Sequence, residues 1–561
     1  MPVVKLSIDR IERLTREYFT QDKLRSLLMR IKSETEFENG YVYVEVNSDR
    51  PDLMVSEGIA RALKGLLDKE LGLPKYSYNN EDLKLIVDNV STRPYIVMAV
   101  VRNVEGDEEF LRELIQFQEK IHATLGRGRR KAAIGIHDLS KVPGKECVYR
   151  YVSIDHTMKP LHIGQRMSIK EVLRSTEQGV LYGEIALNKD LHPAILCDEE
   201  IISLPPVINS DLTKIDPDTR HLLIDVTGTD LNVVEKILEI LTTTLAEGSR
   251  NRYIGRVIIR RGDEEDYYPK ARVSDMNIER EYINRTIGID LDIDVIKRSL
   301  ERSRMSVEEL DDNVLKVYIP SYRIDILHKI DLVEEIVISY GLENIGIEYV
   351  PSIRRGSLDK ETVIMRQIRD LMNGFGYIEI MSFILTSKDL YQKIGFDEYV
   401  EVLNPVSKEF SVIRSSMIPS ILNIMTYIQN QSKPVRIYEI GDIVISDDPT
   451  DIRGLRTRRG LGIGLMDYET RFEEMHALVF SLIRLLGLEP RLKNNTDSNK
   501  WLRRSELLIS GRRGFIYIDD KIIGVIGEIK PEILEALDLR YPVIVSEIDL
   551  TELTKIFFSS S

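Results

Sequence analysis

The clearest periodicity in the chain lies between Asp331 and Gly341. Leu332, Val333, Ile336, Val337 and Tyr340 fall on one side at roughly 100° per residue, while Asp331, Glu334 and Glu335 crowd the other. The pattern predicts a helix, and Gly341 supplies a left-handed stop. Just before it, Pro320-Ser-Tyr-Arg-Ile-Asp325 is a proline-led extended segment that can fold Asp325 back toward the acidic face.

Four stretches of helix and strand follow from the same kind of pattern. Residues 1–88 open with a polar helix from Ile8 to Tyr18 and a strand from Tyr41 to Val46. A second helix follows, with Asp49 available as its cap, Pro51 in its first turn and Ile59, Ala62, Leu63 and Leu66 as an inward stripe. Residues 89–270 hold strands at Tyr95–Val101, Leu222–Val226 and Arg256–Ile259 among helices. The acidic helix belongs to a helix-strand-helix module, residues 271–350, whose strand is Val314–Ile319. Residues 351–561 begin with a helix from Thr362 to Met372 and a strand from Ile378 to Leu385. A helix toward Asn430 and a strand from Val435 come next, and Gly460-Leu-Gly-Ile-Gly464 is expected to be a closely packed strand rather than a nucleotide loop. The fold class is α+β, in several domains.

Composition narrows the function. A length of 561 residues suits about three to five domains. With 43% apolar and 30% charged residues, the chain is of the ordinary globular class with ample core. A net charge of −14 excludes a protein that coats nucleic acid with its whole surface. Any RNA contact must come from a local basic patch, and Gly126-Arg-Gly-Arg-Arg-Lys131 is a candidate, read otherwise as a solvated loop. Cys147 and Cys197, the only cysteines, have no paired spacing, which points to neither a disulfide framework nor a zinc site. No run of 18 apolar residues occurs and the first residues lack a signal-peptide pattern, so a cytoplasmic location without membrane contact is expected.

Two places carry candidate chemistry. If Asp325, Asp331, Glu334 and Glu335 converge, like-charge repulsion requires a cation between them, and all-oxygen ligation suits magnesium or calcium. The plain alternative is that Asp331 and Glu334 are helix-start acids favoured by capping and the helix dipole. The second place joins Leu204-Pro-Pro-Val-Ile-Asn-Ser210 to Thr227-Gly-Thr-Asp230, which ends a buried strand and feeds an amphipathic helix. There the prolines enforce extended backbone, and the hydroxyls beside a helix start offer donors to a carboxylate or phosphate. Read structurally, Asp230 is only a good N-cap.

These strings resemble one family. Pro320-x-Tyr-Arg-x-Asp-Ile326, Asp331-Leu-x-Glu-Glu-Ile336 and Tyr340-Gly-x-x-Asn-Ile345 look like the signature of phenylalanyl-tRNA synthetase beta subunits. Asp49-Arg-Pro-Asp-Leu53 with Glu57-Gly-Ile-Ala-Arg61 is similar to that family's first domain. Leu-Pro-Pro-x-Ile-Asn-Ser with Thr-Gly-Thr-Asp resembles the editing domain of its archaeal and eukaryotic members, a type also favoured by the lack of an anticodon-binding extension. Gly527-Glu-Ile-Lys-Pro-Glu-Ile-Leu534 matches as well, with Lys530 where histidine is common.

The resemblance implies a good deal. It places Mg2+ on Asp325, Asp331, Glu334 and Glu335, shared with an alpha subunit in an α2β2 heterotetramer. It puts ATP and phenylalanine on the alpha subunit, with the phenylalanine tRNA as the common substrate. The C-terminal region becomes a catalytically silent class II aminoacyl-tRNA synthetase-like antiparallel sheet, beside an α/β editing domain that removes misattached tyrosine. Its implied editing residues are Leu204, Pro205, Pro206, Asn209, Ser210, Thr227, Thr229 and Asp230. No Ser-His-Asp or Cys-His spacing appears, so a positioned water is the expected nucleophile. A non-catalytic scaffold and a free-standing deacylase are the alternatives.

Overall fold

Runs of Val, Ile and Leu form central strands, as continuous apolar sequence requires where both faces are covered. Tyr95–Arg102, for example, buries every residue from Ile96 to Val101. The computed structural model describes residues 2–349, 355–446 and 454–560. Its two units are Met1–Tyr349 and Val350–Ser561, and together they make a mixed α+β protein with several sheets.

The first unit opens with a three-stranded antiparallel sheet built from Val3–Ser7, Glu34–Glu38 and Tyr41–Glu45. The expected first helix is shorter than its pattern, Ile8–Thr15, because Arg16 takes a left-handed conformation. Asp49 caps nothing there; a 3-10 turn at Pro51–Leu53 precedes the helix Ser56–Leu66, whose N-cap Val55 offers no side-chain bond.

A ten-stranded mixed sheet forms the middle of this unit. Ser77–Val87 belongs to it, pairing in parallel with Tyr253–Arg261 and Glu146–Ser153, so the boundary expected at residue 88 falls after a strand of the second segment. The polar run Asn79-Asn-Glu-Asp82 hid that strand from pattern reading. Helix Leu231–Ala246 packs over Tyr95–Arg102 and His221–Gly228 and buries Val234, Ile237, Leu238 and Leu241. The segment between Ser153 and Leu191 leaves the sheet and builds a small core of its own from Met158, Ile169 and Val172 against Leu196 and Leu204.

One expectation fails here. Cys147 and Cys197 form a disulfide. They are direct partners across the antiparallel strands Glu146–Ser153 and Leu191–Cys197, and both are fully buried. A separation of 50 residues carries no spacing signal; only the sheet register brings the two together. The remainder of the unit is a three-stranded sheet, Ser274–Glu279, Ser306–Glu309 and Val314–Ile319, packed with three helices.

The second unit is organised by a seven-stranded sheet, antiparallel except where Ile378–Glu379 joins Val435–Ile445. Gly462 and Gly464 sit on the strand Arg456–Met466 beneath helix Ile418–Ile428. A Cβ on Gly464 would come within 2.5 Å of Ile421 and Met425, so the glycine run is close packing. The strand expected over Ile378–Leu385 survives only as Ile378–Glu379 and Leu385–Thr386. Between them Met381 and Phe383 stand 95% and 76% exposed, Phe383 with its edge against Phe410.

Candidate functional site

Strands Ala132–Asp138 and His221–Gly228 lie side by side, and their register sets Gly135 opposite Asp225 and Ala133 opposite Thr227. Side chains alternate along a strand, so Asp225 and Thr227 share one face. That face is the floor of an open cavity of about 940 Å³. Its walls are the Pro205-Pro206 turn with Asn209 and Ser210, and residues from the segment that leaves the sheet, among them Ile163, Met167 and Tyr182. Gly135 keeps the floor clear: a Cβ there would sit 2.0 Å from Asp225 Oδ2.

The polar groups of the floor are held from behind. Asp225, 1% exposed, meets His137 Nε2 through Oδ2 at 2.9 Å, and His137 Nδ1 lies 2.7 Å from Thr213 Oγ1. An imidazole fixed at both nitrogens fixes the carboxylate's orientation in turn. Thr227 Oγ1 accepts from Arg93 Nε at 2.8 Å, and its carbonyl accepts from Arg93 Nη2 at 2.7 Å. Burial pushes the Arg93 guanidinium down to about 10. At the wall, Arg129 donates to the carbonyls of Pro206 and Val207 at 3.2 and 3.0 Å and to Glu119 at 2.9 Å. Its buried Nε has no hydrogen-bond partner.

The sequence-derived residues divide. Pro205, Pro206, Asn209, Ser210 and Thr227 line the cavity. Asn209 accepts from Ser203 Oγ at 2.9 Å, and Ser210 Oγ donates to Lys159 O at 3.0 Å. Leu204 lies in the small core, fully buried, and does not reach the cavity. Thr229 and Asp230 lie outside its lining as well. Asp230 is the N-cap of Leu231–Ala246, accepting from Val233 N at 3.3 Å, and pairs with Lys131 at 3.1 Å. The Lys131 bond, with the cap bond behind it, lowers its carboxyl below the ordinary value. The structural alternative holds for Asp230.

Sequence reasoning missed Asp225, His137 and Gly135, and took Arg129 only as part of a basic run. Asp225 had a signal: an acid inside the buried run Leu222-Leu-Ile-Asp-Val226 must have a buried partner. Arg129 and Lys131 of the basic run serve this wall and the Asp230 pair; Arg127 and Arg130 are exposed.

The acidic helix runs Lys329–Tyr340, two residues earlier than its pattern, because His328 and Asp331 form a capping box. Asp331 Oδ2 accepts from Leu327 N at 2.8 Å and His328 N at 2.7 Å. Asp325 is gripped by Arg323 Nε and Nη2 at 2.9 and 2.7 Å. Glu335, expected on the polar face, is buried and takes the same guanidinium at 2.6 Å. Burial alone would push the Glu335 carboxyl up, but Arg323 and Arg50 outweigh it and hold it down at about 2. Glu334 points elsewhere, to Lys32 at 2.7 Å. The four carboxylates therefore do not form one cluster: Asp325 and Glu335 share Arg323, while Asp331 turns to the helix start and Glu334 to Lys32. Among the described residues, no group of three or more His, Cys, Asp or Glu is placed to hold a metal. As they stand, these donors do not fit a magnesium ion.

Comparison with known proteins gives a consistent result. Residues 350–550 match the model of the phenylalanyl tRNA synthetase beta chain CLM domain, and residues 276–342 match the tRNA synthetase B5 domain. The phenylalanine–tRNA ligase beta subunit of Saccharolobus solfataricus is 38% identical over 557 residues, 99% of each chain. The counterpart from Sulfurisphaera tokodaii is 40% identical over 539 residues, 96% of this chain and 97% of that one. A crystal structure of an N-terminal fragment of the phenylalanyl-tRNA synthetase beta subunit from Pyrococcus horikoshii aligns with a TM-score of 0.57 at 34% identity. It covers 60% of this chain and 99% of the fragment.

Proposed function

The chain belongs to the phenylalanine–tRNA ligase beta-subunit family, and from that premise we propose that it hydrolyses misacylated tRNA in the cavity above Asp225 while an alpha subunit carries the synthetic site. The ligase as a whole joins phenylalanine to its tRNA at the expense of ATP, in an α2β2 assembly. The second unit, in this reading, is a silent class II-like core that pairs with the alpha subunit. Support comes from apolar side chains left in the open in this unit: Met381, Leu403 and Val406 are 95%, 95% and 100% exposed, surface that a partner subunit would cover. A cytoplasmic location, where tRNA is charged, belongs to the proposal; no helix among the described residues is long and apolar enough to cross a membrane.

The observation that carries the editing role is the cavity's floor. A synthetic pocket shaped for phenylalanine rejects the same ring bearing a hydroxyl by only about 10²-fold. A second site built to hydrogen-bond that hydroxyl discriminates in the opposite sense, because phenylalanine leaves its polar groups unpaired. The cavity, about 940 Å³, has room for an aminoacylated terminal nucleoside. At its base the Asp225 carboxylate is oriented by His137 and ready to accept the phenol O–H. Water then attacks the ester carbonyl, the carbonyl–O bond breaks, and the proton from water passes to the leaving ribose hydroxyl. In this reading Thr227 and Asn209, both on the lining, hold the ester and the water.

Magnesium on Asp325, Asp331, Glu334 and Glu335 enters only as a property of the assembled ligase, since Arg323 and Lys32 would have to give up their pairs. No step of the hydrolysis runs through it.

The test is hydrolysis of preformed tyrosyl-tRNA by the assembled enzyme. Asp225→Asn is expected to slow it by about 10²-fold or more, leaving phenylalanine attachment intact, whereas Asp230→Ala leaves the hydrolysis rate unchanged. The reverse result would move the pocket to the helix start.

A further inference from the structure

We propose that a second, separate cleft binds the phosphate backbone of RNA. It lies where the end of helix Ile8–Thr15 and the helix Ser56–Leu66 approach the loop after Leu231–Ala246, and it encloses about 750 Å³. Seven cationic side chains line it against three carboxylates, in a chain whose net charge is −14. Segments far apart in sequence, residues 13–16, 64–75 and 250–252, supply those cations.

The charges are arranged in two layers. On the inner layer Arg252 pairs with Glu70 at 2.7 Å and Glu247 at 2.9 Å, and Lys64 sits 3.6 Å from Glu70. These pairs fix the floor. On the outer layer Arg13, Arg16, Lys75 and Arg250 are exposed. Arg250 is 3.8 Å from Glu105, and Arg13 pairs with Asp107 at 2.8 Å. Among the described residues, Arg16 and Lys75 pair with no carboxylate. Two of the three cleft carboxylates, Glu70 and Glu247, are thus engaged below; Glu105 stands at the mouth beside Arg250, and Arg16 and Lys75 remain there as unneutralised cations, the arrangement that attracts a polyanion.

The rest of the lining selects the kind of polyanion. Leu14 is the one apolar residue on it; the others include Thr15, Ser249 and Asn251. An acidic protein partner would need buried apolar or aromatic anchors at its centre, which this cleft does not offer. Phosphates need what is present: Arg and Lys, with hydroxyl and amide groups between them. The basic run at residues 126–131 offers less for this role: Arg129 and Lys131 are engaged internally, which leaves only Arg127 and Arg130 exposed. Such contacts carry no base specificity, and the cleft holds a tRNA that the cavity and the partner's active site read elsewhere. The inference rests on the tRNA-ligase reading of the family.

Binding of an unmodified tRNA transcript to the full-length chain, followed by anisotropy across a salt series, tests it. The triple variant Arg16→Glu/Lys75→Glu/Arg250→Glu alters exposed side chains and should keep the wild-type Tm. Its Kd should rise at least tenfold, and the slope of log K against log salt should fall by roughly two to three. Unchanged affinity and slope would overturn the cleft while leaving the family reading in place. Equal displacement of tRNA by polyglutamate of the same total charge would also overturn it, in favour of an acidic protein. If the wild-type chain, alone or with its alpha subunit, binds no tRNA even at low salt, the tRNA reading falls together with the cleft.

Discussion

The floor of the cavity and the start of the acidic helix both place carboxylates among buried polar groups, yet they are built in opposite ways. Asp225 is held by one neighbour, His137, on a face that opens onto a large volume. Asp325 and Glu335 share Arg323, while Asp331 is engaged by the helix start and Glu334 by Lys32. A carboxylate oriented on a face that opens onto a cavity can act on a ligand. One that is neutralised within the chain maintains the fold, and it changes role only if something displaces its partner.

The largest effect that separates the two regions is on stability. Glu335→Gln removes one member of a buried pair and leaves Arg323 under-compensated, which should cost about 3–5 kcal/mol of unfolding free energy. Because the folded pKa of Glu335, about 2, lies below its ordinary value of 4.5, its contribution is complete above pH 4.5 and is lost as pH falls toward 2. Wild type should therefore lose stability across that window more steeply than the variant. Urea unfolding at several pH values reads both, and an unchanged midpoint would mean that Glu335 is free for a metal after all.

Next in size is the disulfide. It closes a loop of about 50 residues that contributes Ile163, Met167 and Tyr182 to the cavity wall. Replacing both cysteines by serine should cost about 2–4 kcal/mol and raise amide exchange between residues 154 and 190. Exchange that rises instead around the acidic helix would break the link between disulfide and cavity. The smallest expected effect belongs to magnesium: adding it to the isolated chain should leave Tm unshifted, whereas a clear upward shift would show a site already formed without the partner.

How much of this was legible in the sequence differs between the regions for the same physical reason. Periodicity located the acidic helix and the strand from Leu222, and Pro205-Pro206 with Asn209 marked one cavity wall. Periodicity cannot show where a long side chain ends. Glu335 was assigned to the polar face, but the turn before it brings Arg323 underneath and makes burial tolerable. Asp230 follows the strand that carries Asp225 and stands at a helix start, where local capping claims it. Asp225 and His137 are 88 residues apart and meet only through strand register. The Cys147–Cys197 pair was invisible for that reason too.

The central claim is that the cavity above Asp225 recognises a tyrosyl ester. Binding of a non-hydrolysable 3′-tyrosylamino-adenosine to the full-length chain, compared with its phenylalanyl analogue, tests that most directly. A hydroxyl paired with a buried carboxylate predicts at least a tenfold preference for the tyrosyl form, lost in Asp225→Asn. Equal affinity for the two analogues, or a preference that survives Asp225→Asn, would contradict it.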